Sequence, residues 1–185
     1  MMTRTLVFFL EEPSAKAMLE GMLPRILPVK VTPRFVVFEG KQDLEKQLGK
    51  RLRGWRQPDT AFLVLRDQDS GPCEPIKDRL VEMCRDAGRP ATVVRIACRE
   101  LESWYFGDLA AVEAGLNLSD LTQHSKKAKY REPDHIVNPA NELASVTGGR
   151  YQKLGGSRAI GPHLSVDENT SRSFQVFLQG VRRLL

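Results

Sequence analysis

TAFLVLRDQDS, residues 60–70, carries an apolar run from Ala61 to Leu65 that stops on two aspartates, Asp67 and Asp69, and breaks at Gly71-Pro72. A continuous apolar run bounded by turn residues is the pattern of a strand buried on both faces, as in a parallel sheet. In open α/β sheets, ligands bind in the crevice outside the carboxyl ends of the strands. The run therefore predicts that two carboxylates are delivered to the edge where such a sheet does its chemistry.

Upstream, residues 5–10 (TLVFFL) read as a first buried strand ending on Glu11 and Glu12. Ala15, Met18, Leu19, Met22, Leu23, Ile26 and Leu27 then recur at helical spacing, with Pro13 and Ser14 suited to a helix start, Ser14 as a cap, and Pro24 to a bend or end. Phe35 to Phe38 mark a second strand, with an earlier beginning near Val29 and an interruption at Pro33 as the alternative. Leu44, Leu48 and Leu52 line a strongly charged helix. Downstream, Ile76, Leu80, Met83, Cys84 and Ala87 describe a helix stopped by Gly88 and Pro90, and residues 92–96 a fourth strand. This alternation predicts an α/β fold: a mostly parallel four-stranded sheet flanked by helices.

In RELESWYFGDL, residues 99–109, Leu101, Trp104, Tyr105 and Leu109 can face the core, leaving Arg99 and Glu102 one helical turn apart on the solvent side. Residues 117–138 are polar and irregular, with a basic cluster at Lys126, Lys127, Lys129 and Arg131, and read as a mobile loop. A short helix over residues 139–146 ends at Gly148-Gly149. The closing helix repeats Phe174, Phe177, Leu178, Val181, Leu184 and Leu185 at helical spacing and needs an apolar surface to cover, on the sheet or on a partner. The chain thus divides into an α/β core, residues 1–115, and a basic loop with a helical C-terminal extension packed on that core, residues 116–185.

Composition bounds the rest. With 41% hydrophobic and 28% charged residues the chain reads as an ordinary globular protein. A net charge of +5 permits contact with a polyanion without arguing for one. Cys73, Cys84 and Cys98 match no zinc or redox spacing and read as reduced thiols of a cytoplasmic protein. Leu6 to Leu10 is too short for the core of a leader peptide, and no run reaches the length of a membrane span.

If the first and third strands are neighbours, Glu11 or Glu12 approaches Asp67 and Asp69. Two carboxylates about 4 Å apart repel by roughly 4 kcal/mol at an effective dielectric near 20. Three of them need a cation or raised pKa values. An all-oxygen site of this kind suits magnesium, with manganese as a substitute, and such an ion can polarise a phosphoryl group and activate water. Each acid also has a plainer reading: strand termination for Asp67 and Asp69, the helix dipole for Glu11 and Glu12, and solvated pairing with Arg99 for Glu102.

A strand ending in glutamate (VFFLEEPSAK) followed by a later strand ending in Asp-x-Asp (LVLRDQD) resembles the Toprim fold of topoisomerases, primases and related nucleases. The resemblance implies that Glu11 is an acid or base and that Asp67 and Asp69 bind metal. Glu12 falls where that family often has glycine, and Ala15 where some members carry a further acid, so a full two-metal site is not implied. EEPSAKAMLEGMLPRI, RDQD, RELESWYFGD, YQKLGGSRAIGPHL and SRSFQVFL resemble a small bacterial family described as domain of unknown function 4276, across nearly the whole chain. Its likeness to Toprim proteins that act beside ATPases in phage defence implies an ATPase partner.

Lys126, Lys127, Lys129, Arg131, Arg150, Lys153 and Arg158 could meet backbone phosphates or be plain solvated surface. Lys153 and Arg158 flank Gly155-Gly156, whose amides could approach an anion, but GGSRAIGP lacks the spacing and the Gly-Lys-Ser/Thr ending of a phosphate loop. His124, His135 and His163 are too dispersed for zinc. Trp55, among Arg51, Arg53 and Arg56, either stacks a base or anchors a helix end.

The leading expectation is a magnesium-dependent phosphodiester hydrolase acting on nucleic acid. Glu11, Asp67 and Asp69 hold the metal, Glu11 doubles as acid or base, and Glu102 and Lys153 orient the water or the phosphate. The alternative is a regulatory or nucleic-acid-binding subunit that keeps the acidic site and serves an ATPase partner or a homo-oligomer. A phospho-receiver domain is the third reading, disfavoured by the 55 positions separating Glu12 from Asp67 and by the second aspartate.

Overall fold

The computed structural model describes residues 4–185; residues 1–3, the first of the expected core, lie outside them. The run read first is β3, Thr60–Asp67. It pairs with β1, Arg4–Leu10, on one side and with β4, Val93–Ala97, on the other, while β2, Val31–Val37, lies beyond β1. All three pairings are parallel, in the order β2-β1-β3-β4. The uninterrupted apolar sequences belong to the two central strands because both of their faces are covered. Pro33 is tolerated within β2 because β2 is an edge.

Side chains alternate across the sheet. Leu6, Phe8, Leu10, Leu63 and Leu65 enter one apolar layer, and Val7, Phe9, Phe62, Val64 and Val94 the other. The second layer is closed by α2, Lys41–Gly54, through Leu44, Leu48 and Leu52, and by α3, Cys73–Asp86, through Leu80 and Cys84. Trp55 stands edge-on to Phe62 and donates from Nε1 to Thr60 Oγ1 at 3.3 Å. It anchors the end of α2.

The first layer is closed by α1, Pro13–Met22, and by everything after β4: α4, Glu102–Phe106; α5, Leu109–Leu116; α6, Pro139–Val146; α7, Lys153–Ile160; and α8, Arg172–Arg183. Phe174, Phe177, Leu178 and Val181 of α8 are buried against β4 and Trp104, so the stripe that asked for a cover is spent on the chain's own sheet. α5 and α7 approach closely at Gly115, where a Cβ would lie 2.7 Å from the Ala159 carbonyl oxygen. Gly115→Ala should therefore destabilise the fold by about 1–3 kcal/mol, more than the gain in helix propensity of up to about 1 kcal/mol, a loss urea denaturation would read.

Three local expectations are corrected. Residues 117–138 are not irregular throughout: they hold 3-10 turns at Thr122–Lys126, Ala128–Tyr130 and Pro133–His135, with Leu121, Tyr130 and Ile136 buried. Three anchors spread through a polar stretch are too sparse to show as a period. Gly155 and Gly156 lie inside α7; the Gly156 amide donates to the Gln152 carbonyl at 2.6 Å, and the residue's missing side chain makes room for the Tyr151 ring. Ser14 does not cap α1, and its hydroxyl donates to the Glu12 carboxylate at 3.3 Å.

Candidate active site

From β1 the chain adds β2 on one side, then crosses back to add β3 and β4 on the other. The carboxyl ends of β1 and β3 therefore bound the switch point, the crevice where such sheets bind ligands. Glu11 follows β1 and is 7% exposed. Its Oε2 accepts the Asp67 amide at 3.1 Å and lies 3.8 Å from Arg66 Nε. Alternation turns Arg66 toward α2, where it pairs with Glu45, and turns Asp67 toward the layer of α1, α4 and α7.

Asp69 sits beyond the strand with a left-handed φ of 57°, and Lys41 Nζ is 2.8 Å from its Oδ2. The Asp69 amide donates to the Arg99 carbonyl at 2.7 Å, and the Arg99 amide, itself at φ 62°, donates to Gln68 Oε1 at 3.1 Å. Two non-glycine residues in left-handed backbone thus stitch together the ends of β3 and β4. Backbone of this kind is sparsely populated and gathers at functional sites.

Glu102 corrects the sequence reading most sharply. Expected on a solvated face beside Arg99, it is fully buried. α4 is a single short helix wrapped by the C-terminal elements, so all five of its residues are buried and no polar face exists. Arg99 belongs to the turn before it. Tyr151 donates its hydroxyl to Glu102 Oε1 at 2.7 Å, and Tyr105 donates to Ser157 Oγ at 2.7 Å in the same cluster. Glu102 Oε2 is out of reach of solvent and has no hydrogen-bond partner. Lys153, first residue of α7, lies 2.8 Å from Glu12 Oε2.

These positions perturb one another. Burial pushes the Asp67 carboxyl well above the ordinary carboxylate range, and the charges of Glu102, Glu11 and Glu12 add to it against the opposing pull of Lys153. Burial likewise raises Glu11, opposed by the hydrogen bond from the Asp67 amide and reinforced by the charge of Asp69. Burial raises Glu102 despite the Tyr151 hydroxyl. Burial opposes the charge on Lys153, but its bond to Glu12 and the charges of Glu102 and Asp67 outweigh that and raise its pKa. The ion pairs with Lys41 and Lys153 show that this edge draws in positive charge.

The structure thus brings Glu11 to the Asp67 backbone and Glu102, Glu12 and Lys153 within electrostatic reach of Asp67, while Asp69 is turned toward Lys41 on α2. Among the described residues no three His, Cys, Asp or Glu side chains stand together at the spacing of a metal cage. The donors nevertheless suit a hard divalent ion: they are all carboxylates, burial disfavours the charged forms of Glu11, Asp67 and Glu102, and one buried oxygen of Glu102 lacks any partner. Lys153→Met would leave Glu12 and Asp67 without their counter-charge. The expected cost, below about 1 kcal/mol for so exposed a pair, grows as pH rises through the carboxylate range, holds while the lysine is charged and is lost as pH rises through its raised pKa, which thermal melts across pH would show.

Sequence reasoning missed Arg66, Lys41 and Tyr151. Arg66 had a signal, a cation at the end of an apolar strand. Lys41 and Tyr151 had none, since their contacts bridge distant parts of the chain. Of the basic residues, Lys129 is spent on Glu142 at 2.6 Å. Cys73, Cys84 and Cys98 are free thiols, and burial pushes Cys84 and Cys98 up to about 11. No helix among the described residues is long and apolar enough to cross a membrane.

The family model described as "Domain of unknown function (DUF4276)" matches residues 10–182. No curated protein matches. Among solved structures, the C-terminal region of the Burkholderia pseudomallei OLD protein is similar over 96% of this chain and 97% of that one, with a TM-score of 0.53 and 16% identity. The C-terminal region of the Xanthomonas campestris pv. campestris OLD protein is similar over 98% and 95%, with a TM-score of 0.46 and 17% identity. At such identity the Burkholderia likeness speaks to the fold, which is Toprim-like.

Proposed function

We propose that this chain, which belongs to the DUF4276 family, is a metal-dependent phosphodiester hydrolase acting on nucleic acid. The observation that carries the reading is the junction at the switch point, where the Glu11 carboxylate takes the Asp67 amide at 3.1 Å and the charge of Glu102 acts on Asp67. Carboxylates at the carboxyl ends of two adjacent central strands support a site for chemistry on a polyanion only if a cation balances them. Asp67, Asp69 and Glu11 would hold magnesium or manganese, which supplies charge to a phosphoryl oxygen and lowers the pKa of an attacking water.

The remaining work falls to the chain's own groups. Glu11 anchors one oxygen on the Asp67 amide, leaving Oε1 to take or return a proton, and its raised pKa brings proton exchange nearer neutrality. Glu102, held by Tyr151 and shut off from solvent, positions the site through its charge on Asp67. Lys153, held by Glu12, draws a phosphate toward Asp67. Glu11→Gln should lower magnesium-dependent cleavage of labelled DNA or RNA by roughly 100-fold or more while leaving binding intact. Cleavage retained in a folded Glu11→Gln protein would contradict the assignment.

A second reading rests on the lysines that already neutralise Asp69 and Glu12, with no formed carboxylate trio among the described residues. On this reading the chain is a regulatory or nucleic-acid-binding subunit whose site is completed on an ATPase partner or a second copy, in a defence system against phage. Metal binding that appears only with the partner present would support it.

A further inference from the structure

Three clefts that share lining residues lie at the carboxyl edge of the sheet. The first, of about 390 Å³, lies against Lys41, Arg66 and Asp69. The second, of about 330 Å³, shares Asp69 and Ser70 with it and reaches Arg99. The third, of about 530 Å³, shares Arg99 and runs on to Arg131 and Arg172. We infer that the third cleft is a track for the sugar–phosphate backbone of nucleic acid, with Arg99, Arg131 and Arg172 as its phosphate contacts. The inference deepens the hydrolase reading and rests on it for the identity of the polyanion.

Five observations carry it. None of the three guanidinium groups takes part in an ion pair among the described residues. The three arginines outnumber the two acids of the same cleft, of which Asp134 accepts the Ser171 hydroxyl at 2.6 Å and the Ser173 amide at 2.7 Å and Glu132 lies against His135. Next, Arg99 keeps a long side chain at φ 62°, a conformation that disfavours any residue with a Cβ, and so places a cation on the rim at a position better suited to glycine. Gln68, set between Asp67 and Asp69, lines the cleft and accepts the Arg99 amide, so the track begins at the acids. Finally, among the described residues no Phe, Tyr or Trp lines this cleft. Without a ring for a base to stack on, recognition runs through phosphates and carries no sequence preference.

The test is fluorescence anisotropy with a labelled single-stranded DNA and with its duplex, in chelator so that nothing is cleaved, across a range of salt. Arg99→Gly/Arg131→Ala/Arg172→Ala is compared with Lys30→Ala/Lys46→Ala/Lys50→Ala, which removes the same charge elsewhere. Arg99→Gly also relieves the backbone, so loss of fold is not the expected confounder, and thermal melts verify it. For three duplex phosphates at about 0.9 each, the salt slope should fall by about 3, so the affinity lost between about 50 and about 200 mM salt shrinks about 40-fold, with no such change in the control. A slope unchanged in the arginine variant, an equal change in the control, or no binding of either DNA by the native protein would overturn the track. Cleavage absent while arginine-dependent binding persists would instead overturn the hydrolase reading alone, and cleavage retained with an unchanged slope would overturn the track alone.

Discussion

Asp67→Asn is expected to abolish metal-dependent cleavage, by a factor of about 1000 or more, while making the metal-free protein more stable above the carboxylate range. The loss follows from the role proposed for Asp67: an amide offers one neutral oxygen where a charged oxygen pair would hold the ion, and charge stabilisation by the metal is worth several kcal/mol in such reactions. The gain follows from linkage. Burial and the neighbouring carboxylates raise the native pKa of Asp67 well above its ordinary value. Between the ordinary value of about 4 and the raised one, the native state binds more protons than the unfolded chain, so Asp67 costs stability as pH rises through that window. Below the window both states are protonated and the cost is gone. The asparagine variant, which has no such titration, should melt higher than the native protein by a margin that widens with pH, on the order of 1 kcal/mol or about 2–4 °C for a chain of this size. Melts at several pH values without metal check the gain, and cleavage assays check the loss.

Glu102→Gln is expected to lower cleavage by roughly 100-fold without unfolding the protein, and Tyr151→Phe to move the acid limb of the pH–rate profile upward. Glu102 is fully buried, held by one hydroxyl, and left with an unpartnered oxygen. A buried carboxyl kept only for stability would be better replaced by an apolar or amide group, since an unpaired buried polar atom costs about 1–3 kcal/mol. Glutamine keeps the bond from Tyr151 and the volume but removes the charge. Tyr151→Phe keeps the charge but deletes the hydrogen bond that favours the ionised carboxylate, so the native pKa of Glu102 rises further. The cleaving form then needs higher pH. A merely structural Glu102 would change stability in both variants and leave the pH profile where it was.

How much of this could be read from the sequence differs by element. The sheet was legible because its central strands are buried on both faces, so Ala61 to Leu65 and Leu6 to Leu10 announce themselves without help from their neighbours. The position of Glu11, Asp67 and Asp69 at strand ends was legible for the same reason, as charges that close apolar runs. The adjacency of β1 and β3 was posed as a condition, and the pairing of Leu10 with Leu65 meets it. Glu102 was misread because a helical period assumes one wet face, and α4 has none. The turns after β4 escaped because Leu121, Tyr130 and Ile136 are isolated anchors in polar sequence. The closing helix was legible as an apolar stripe in search of cover, but only the fold shows that β4 and Trp104 provide it. Long-range pairs such as Lys41 with Asp69 leave no trace in a single sequence.

The most direct measurement is calorimetric titration of magnesium, and then manganese, into the native protein and into the folded Asp67→Ala/Asp69→Ala variant. Saturable binding by the native protein that disappears in the variant is the predicted result. Binding of equal strength in both would place the cation elsewhere and contradict the carboxylate site, and no binding by the native protein alone would move the account to a subunit completed by its partner.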